Sequence, residues 1–529
     1  MTATEAAMAG GAEGPAVADW EGLVTAALLG TERRGGPGAG GPEALLDAAA
    51  VQTVRRRAGL RPAAAGPLPV PAPADARPEL PEPARRRLAQ LLAGRGHGGG
   101  SGRGTAPDLA ELLPQWLAAA HGHGYRAPAE LLPALLEAAR ARTDLRAPAL
   151  SLAGPRGLWL AGLNPEWRFA LRSGTGGTLL PDPSDGPAVR RLWEEGLFAE
   201  RVALLGLVRR ADPEAGRELL ASAWATERAE DRLLFLDSLR EGLGDPDEPF
   251  LEAALSDRSR NVRVLAAELL SALPGSALAA RMAERALACV GPEGVEAPRA
   301  CDADMQRDGV VKRPPAGRGE RSWWLGQVVE AAPLSCWSER FGGLTPAEIV
   351  ARPVAEGWAE DLHAAWCRAA VRQRDAAWAE ALLGAPSAPP AAGPGTASLA
   401  ERARLLETLP EDRRAAWVAG FVSAHGLSEA FQLLGVCMVP WSEPLGRAVV
   451  DALDLARDAG GYPWSFSGVM GLAERCLDPR EADRLAALAA PPPGPTASAG
   501  AGDYWSEAFQ RLVATLRVRA AMLRELSVA

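Results

Sequence analysis

Residues 245–274 decide the fold of this chain, and they read DPDEPFLEAALSDRSRNVRVLAAELLSALP. Apolar residues recur there at the three- and four-residue spacing of an α-helix, first at Leu251, Ala254 and Leu255 and then in a second run. The second run comprises Val262, Leu265, Ala266, Leu269, Leu270 and Leu273. Because Asp257 separates the two runs, the stretch predicts two short amphipathic helices joined by a tight turn.

A helix pair of this kind cannot bury its own apolar face and must stack on neighbours, and residues 245–274 resemble a HEAT-type repeat in this respect. Asp212-Pro213 precedes a similar pair about one repeat length earlier, and residues 405–410 repeat the pattern of residues 269–274. We therefore expect an all-α fold, a HEAT-like α-solenoid of antiparallel helix pairs with an N-terminal helical region and Pro/Gly-rich loops.

The pattern along the chain predicts six segments. They are a disordered N-terminus (1–17), an N-terminal helical region (18–150) with a Pro/Ala-rich linker (61–83) and a Gly-rich loop (94–105), an aromatic irregular connector (151–186), HEAT-like repeats (187–290), an insertion (291–322) and C-terminal helical repeats (323–529). An insertion in a repeat array often projects from the binding face.

Charge and composition limit the classes of function. The net charge of −9 and the pI near 5.4 disfavour general attraction to nucleic acid or to an anionic membrane. Lys312 is the single lysine, and Arg313-Pro314 follow it, so the chain has no phosphate-binding loop of the G-x-x-x-x-G-K-[ST] type. The same position makes a Schiff-base enzyme an unfavourable interpretation.

The six cysteines form no C-x-x-C pair, and the N-terminal sequence has neither the basic nor the apolar region of a secretory signal. No uncharged apolar stretch is long enough to span a bilayer. Together these features predict a cytoplasmic protein with reduced thiols and no membrane contact.

Several residue groups invite a chemical interpretation, but each lacks part of the required pattern. The His97-Gly98-Gly99-Gly100 loop resembles an esterase oxyanion loop, yet the chain has no G-x-S-x-G elbow, and a flexible linker is favoured. His121 and His123, or His363 with Cys367, could supply metal ligands, although a zinc site needs three or four of them.

Asp302, Asp304 and Asp308 superficially suggest a calcium loop, but the remaining EF-hand positions do not match. The carboxylates could still form an acid/base pair, while helix capping and contacts to Arg307 or Arg313 are the favoured interpretation. We therefore predict no catalytic, cofactor-binding or metal-binding residue, and we expect no cofactor.

A recognition surface is predicted beside the insertion. Trp323 and Trp324 are consecutive, so they cannot point the same way from a helix, and one of them is expected to be exposed. Trp and Arg are enriched among binding hot spots. We therefore select Arg318, Arg321, Trp323 and Trp324 as the candidate interaction surface.

Three stretches carry a resemblance that spans nearly the whole chain: residues 20–34, the GPRGLWLAGLNPEW segment and the RDG to RSWWLGQ segment. They resemble an uncharacterised bacterial family known only as a domain of unknown function and common in high-GC genomes. The resemblance implies gene neighbours of the AAA-type ATPase and von Willebrand factor A types, and so an accessory role in a chaperone-like assembly. It assigns no catalytic residue.

These observations favour a non-enzymatic HEAT-like scaffold or adaptor that binds a protein partner, which could be an AAA-type ATPase or a von Willebrand factor A-type protein. The alternative is a nucleic-acid-binding or DNA-repair protein of the HEAT-like glycosylase type. It requires arginines clustered on one face with few carboxylates, and even mixing of the two charges would count against it. A hydrolase that uses the carboxylates of residues 302–308 ranks third.

Overall fold

The computed structural model describes residues 20–29, 41–58, 69–93, 107–173, 180–354, 357–388, 399–489 and 501–527. The predicted disordered N-terminus and the Gly-rich loop at 94–105 lie outside these residues. Residues 61–68 of the Pro/Ala-rich linker also lie outside them. The chain divides into two compact units, Met1–Pro71 and Ala72–Ala529. The six predicted segment boundaries remain predictions.

The described residues are almost entirely helical, which confirms the all-α prediction. In the first unit the helices are α1 (Trp20–Leu29) and α2 (Pro42–Arg57). The second unit begins with α3 (Glu82–Ala93), α4 (Leu109–Gly122), α5 (Leu132–Ala141), α6 (Arg146–Leu163), α7 (Phe169–Ser173), α8 (Gly186–Glu195), α9 (Phe198–Ala211), α10 (Pro213–Ala223), α11 (Ala229–Asp237), α12 (Glu248–Ala254), α13 (Arg260–Leu270) and α14 (Ala277–Cys289).

The second unit continues with α15 (Ala303–Arg307), α16 (Glu320–Ala331), α17 (Ser335–Arg340), α18 (Pro346–Val350), α19 (Ala359–Gln373), α20 (Ala376–Leu383), α21 (Leu399–Thr408), α22 (Glu411–Leu434), α23 (Glu443–Asp458), α24 (Ser467–Cys476), α25 (Ala482–Leu488) and α26 (Ala501–Ser527). Short 3₁₀ turns lie at Ala129–Leu131, Thr143–Leu145, Pro165–Trp167, Ser238–Arg240, Asp245–Asp247, Pro463–Phe466 and Pro479–Glu481. Among the described residues the strands are β1 (Val290–Gly291) and β2 (Gly294–Val295), a two-residue antiparallel pair.

The helix pair predicted from residues 245–274 is present as α12 and α13. Its apolar runs are buried, as Leu251 and Leu270 illustrate. The carboxylate of Asp257 builds the turn, because its Oδ1 accepts a hydrogen bond from the backbone N–H of Ser259 at 2.7 Å. The same oxygen accepts one from Nη2 of Arg232 at 3.0 Å, which ties the turn to α11. The turn is therefore fixed both by its own sequence and by the charged side chain of Arg232 on the preceding helix.

One apolar core runs through the second unit from Val189 to Leu516. A second core joins α3 to α6 and includes Met522 and Leu526 of the last helix. The C-terminal helix α26 therefore packs against α3 and α4, the first helices of this unit. The sequence pattern predicted α26 as a helix but contained no indication of this contact.

The predicted irregular connector at 151–186 is wrong in its first half, because residues 151–163 belong to α6. Gly154 kinks the helix with φ +60°, and Pro155 then occupies the first turn of the next helical segment, where a missing N–H costs no hydrogen bond. A Cβ at Gly154 would lie 2.0 Å from Nη2 of Arg77, so a side chain there would have to displace the Arg77 guanidinium.

The predicted insertion at 291–322 packs against the helical core. Cys301, Met305 and Val310 are buried in the main core, and α15 lies within the insertion. Gly309 approaches α13 so closely that a Cβ there would lie 2.4 Å from the Cβ of Ala267. Its φ of +94° also favours glycine.

Candidate functional site

The principal cavity of the second unit has a volume of about 840 Å³ and is bounded by side chains from several helices. It lies between the 3₁₀ turn at Ser238–Arg240 with α13 on one side and α16, α19 and α21 on the other. Its basic lining residues are Arg240, Arg368, Arg372, Arg374 and Arg404. Its acidic lining residues are Glu241, Glu268, Glu330 and Glu401. The cavity is therefore highly charged, with both signs present.

Glu330 on α16 organises the cavity wall, because its two carboxylate oxygens accept hydrogen bonds from Arg368 Nε and Arg372 Nη2 on α19. Nη1 of Arg372 also donates to Oγ of Ser271 at 3.1 Å, which links α19 to the end of α13. Arg368 and Arg372 lie one helical turn apart, so they project from the same face of α19. One carboxylate thus holds two guanidinium groups at the cavity wall.

Arg240 and Glu268 form a second ion pair on the opposite wall, with Nη2 and Oε1 2.8 Å apart. Both side chains are partly exposed, so solvent weakens their attraction. Arg374 and Arg404 differ from the other three arginines of the cavity. Both are exposed, and within the described part of the chain neither guanidinium has a hydrogen-bond or ion-pair partner.

Arg374 also has an unusual backbone conformation. It ends α19 with φ +53° and ψ +42°, and it is the one non-glycine residue with positive φ among the residues that the structure describes. The backbone N–H of Asp375 bonds to the carbonyl of Ala370, five residues earlier, as in a Schellman C-cap. Glycine is the usual residue at this position, because a side chain there is sterically disfavoured.

Three of the four residues of the predicted interaction surface are engaged within the protein. Nε1 of Trp323 donates to the carbonyl of Val311 and Nε1 of Trp324 to that of Lys312, each at 2.8 Å. Arg321 Nη2 donates to the carbonyl of Ala297 at 2.6 Å. These bonds hold the insertion onto α16. Whether the four residues also contact a partner stays a prediction.

Of the two tryptophans, Trp324 is buried and Trp323 is half-buried, so neither is fully exposed. Arg318 and Arg321 are the exposed residues of the four, and Nη1 of Arg318 lies 3.9 Å from Oδ1 of Asp361. Arg318 and Trp323 line a second cavity of about 440 Å³, to which Glu330 and Arg368 of the principal cavity also contribute. The predicted surface therefore adjoins the principal cavity.

The principal cavity itself was missed from the sequence. Its strongest sequence signal is Arg374-Asp375, which stands between two helical patterns where a glycine would ordinarily end the first helix. Its other charged residues occur on exposed helix faces, and a sequence pattern alone cannot distinguish them from ordinary solvated residues.

The histidines considered as metal ligands contact neighbouring protein side chains. Nδ1 of His121 lies 2.7 Å from Oγ of Ser151, and His123 stacks on Tyr125. Burial lowers the pKa of His363 and raises the pKa of the Cys367 thiol to about 12, so the neutral form of each is favoured. Among the described residues, no group of three or more His, Cys, Asp or Glu side chains could hold a metal ion.

The carboxylates of the predicted insertion have separate roles. Asp302 caps α15 by accepting a hydrogen bond from the backbone N–H of Met305 at 2.7 Å. Asp308 is buried and accepts hydrogen bonds from Arg281 and Arg285 of α14. The hydrogen-bond partners of Asp308 are thus on another helix. Arg307, one of the two arginines predicted from the sequence, also forms an ion pair with Asp308, with Nε 3.6 Å from Oδ1.

None of the helices in the described ranges combines the length and apolar character needed to cross a membrane. The fold and the cavity together define an all-α protein with a mixed-charge cleft between successive helices.

The chain belongs to the family described as "Family of unknown function (DUF5691)", whose model matches residues 22–526. This confirms the predicted resemblance to a domain of unknown function that spans nearly the whole chain. The chain matches no curated protein and no solved structure.

Proposed function

We propose that this protein is a non-enzymatic, HEAT-like scaffold of the cytoplasm that binds a protein partner along the helices that line the principal cavity. The observation that carries the proposal is the cavity itself, to which α13, α16, α19 and α21 all contribute charged side chains. A surface shared by several helices is the kind of extended site that stacked helix pairs use for binding.

The packing of the second unit supports a repeat architecture. Consecutive helices contact each other in turn from α19 to α23, and α16 packs against both α14 and α19. The continuous apolar core from Val189 to Leu516 is typical of stacked pairs that bury their faces against neighbours. Buried ion pairs also join helices of neighbouring pairs, as between Arg209 of α9 and Asp247 before α12.

The family resemblance directs the choice of partner towards AAA-type ATPases and von Willebrand factor A-type proteins. The experiment is capture of the tagged full-length chain from its native host, with quantitative mass spectrometry and cross-linking. We expect one stoichiometric partner with cross-links to α13, α16, α19 or α21. Recovery of no stoichiometric partner, or cross-links confined to other helices, would contradict the proposal.

The nucleic-acid alternative is less well supported by the charge distribution. Arginines of the second unit are repeatedly paired with carboxylates, and four glutamates line the principal cavity. The carboxylates among these arginines would repel the uniformly negative backbone of a duplex. An electrophoretic shift assay with duplex DNA at low and moderate salt tests this alternative, and strong salt-dependent binding would favour it.

A further inference from the structure

We propose that Arg374 and Arg404 are the anchor of an anion-binding site in the principal cavity, and that this site takes an acidic peptide segment of the partner. The inference rests on the proposed scaffold function and specifies the chemistry of its binding surface. Three of the five cavity arginines are engaged by Glu268 and Glu330. Arg374 and Arg404 are the two whose donors remain available within the described residues.

Arg374 supplies the first argument, because its conformation does not serve the stability of the fold. A glycine would end α19 with the same Schellman hydrogen bonds and without steric cost. Strained residues whose side chains line a cavity are characteristic of ligand sites. Arg374 lines the cavity from the tight turn between α19 and α20.

Arg404 supplies the second argument, because it reaches the same cavity from a different helix, α21. A guanidinium presents a planar fork of donors that matches a carboxylate in a bidentate geometry. Two such groups from separate elements suit a ligand with more than one carboxylate. An extended peptide with two or more aspartate or glutamate side chains has this chemistry.

The acidic lining favours a peptide over a nucleic acid. Glu241, Glu268 and Glu401 also face the cavity, and they would repel a ligand whose charge is negative at every unit. A peptide carries its carboxylates at separate positions and supplies backbone N–H donors to the cavity glutamates. The cavity volume of about 840 Å³ accommodates a few residues of such a segment.

The direct test measures fluorescence anisotropy of a fluorescein-labelled acidic hexapeptide, in which glycine and serine separate two glutamates, with the purified full-length chain at low salt. The variants are Arg374→Gly, Arg404→Gln and the double variant, and the charge-matched control is Arg447→Gln, which removes an exposed arginine on α23. We expect each cavity variant to raise Kd by about tenfold or more, since each loses a hydrogen bond to a charged group, and the control to change it little. Equal Kd values in the wild type, the cavity variants and the control would overturn the inference.

Two competing probes identify the ligand class. Unlabelled inorganic phosphate and a single-stranded oligonucleotide are each added to the peptide complex. We expect weak displacement by both. Displacement by the oligonucleotide at a lower concentration than by the unlabelled acidic hexapeptide would instead indicate a nucleic-acid site.

A stability measurement separates binding from folding. Arg374→Gly should raise the midpoint of thermal unfolding while it weakens peptide binding, because the substitution relieves the backbone strain. A lower midpoint accompanied by weaker binding would indicate a structural role for Arg374 and contradict the inference.

Partner capture with the double variant distinguishes this inference from the proposed function. If the wild-type chain captures a stoichiometric partner and the double variant does not, both are supported. If both proteins capture the partner equally, the scaffold function stands and the anion site is wrong. If the wild-type chain captures none, the proposed function itself fails.

Discussion

Arg209 and Asp247 form a buried bidentate ion pair in which Nη1 and Nη2 donate to the two carboxylate oxygens, each at 2.9 Å. The remaining N–H groups of Arg209 donate to backbone carbonyls of Glu241, Pro213 and Leu239, so all of its donors are used. The side chains are 0% and 3% exposed. The pair therefore joins α9 to the turn before α12 and also satisfies the carbonyls between them.

Removal of one partner of this pair should destabilise the protein strongly. We expect Asp247→Ala to lower the free energy of unfolding by about 3–5 kcal/mol, because the buried guanidinium loses its counter-charge. Asp451→Ala is the control, since it breaks the exposed pair with Arg484 and should cost at most about 1 kcal/mol. Urea unfolding followed by circular dichroism measures both, and equal losses would contradict the prediction.

Ionisation of Asp308 should make the free energy of unfolding depend on pH. Burial opposes ionisation of its carboxyl, but hydrogen bonds from Arg281 and Arg285 more than compensate, so its pKa lies below the ordinary value of 3.8. Because the folded-state pKa is the lower one, the ionised group stabilises the native state above the unfolded-state pKa. This contribution is lost as the pH falls through the folded-state pKa.

The variant Asp308→Asn isolates that contribution. At pH 7 we expect it to reduce the free energy of unfolding by about 1–3 kcal/mol, the range for hydrogen bonds to a charged group. The difference from wild type should be constant above about pH 5 and should shrink at lower pH. Urea unfolding across this range measures it. A difference that stays the same down to pH 3 would show that ionisation of Asp308 is not responsible.

The thiols should react slowly in the native protein. Burial raises the pKa of Cys336 and Cys367 to about 12 and that of Cys437 to about 11. Since the thiolate is the nucleophile, these groups should react with Ellman's reagent at pH 8 more than about 100-fold slower than free cysteine. In urea all six thiols should react quickly. Rapid reaction of all six thiols with the reagent under native conditions would contradict this prediction.

The contact of the last helix with the first helices of the second unit can be tested at Leu526. This side chain is fully buried in the second core, which α3 to α6 form, whereas Leu523 on the same helix is 48% exposed. We expect Leu526→Ala to cost about 2–5 kcal/mol and to increase proteolysis in α3 and α4. Leu523→Ala should have a much smaller effect on both the unfolding free energy and the cleavage rate. Similar effects of the two substitutions would argue against the contact.

The sequence was most informative where structure depends on nearby residues. The spacing of Leu251, Val262 and Leu270 predicts α12 and α13, since one turn of helix relates residues three and four apart. The same local logic failed at residues 151–163, which were predicted as part of an irregular aromatic connector although they belong to α6 and continue it beyond the kink at Gly154.

The candidate site was less predictable, because its residues come together through contacts that are distant along the chain. The pairs Glu330–Arg372 and Arg240–Glu268 each join separate helices, and no periodicity indicates which arginine faces which carboxylate. The selection of Trp323 and Trp324 rested on side-chain direction from one helix. The partners of both indoles, the carbonyls of Val311 and Lys312, depend on how the insertion folds back.

By itself, then, the sequence determined that the chain is helical and that residues 245–274 form two helices joined by a turn, because amphipathic spacing and turn residues act within a few residues. The tertiary structure alone decided that Arg87 on α3 meets Glu525 on α26 and that Arg374 and Arg404 face one cavity. The physical reason is that an ion pair or a shared cavity depends on the relative placement of packed helices. That placement follows from the fit of whole apolar faces, to which residues far apart in the chain contribute.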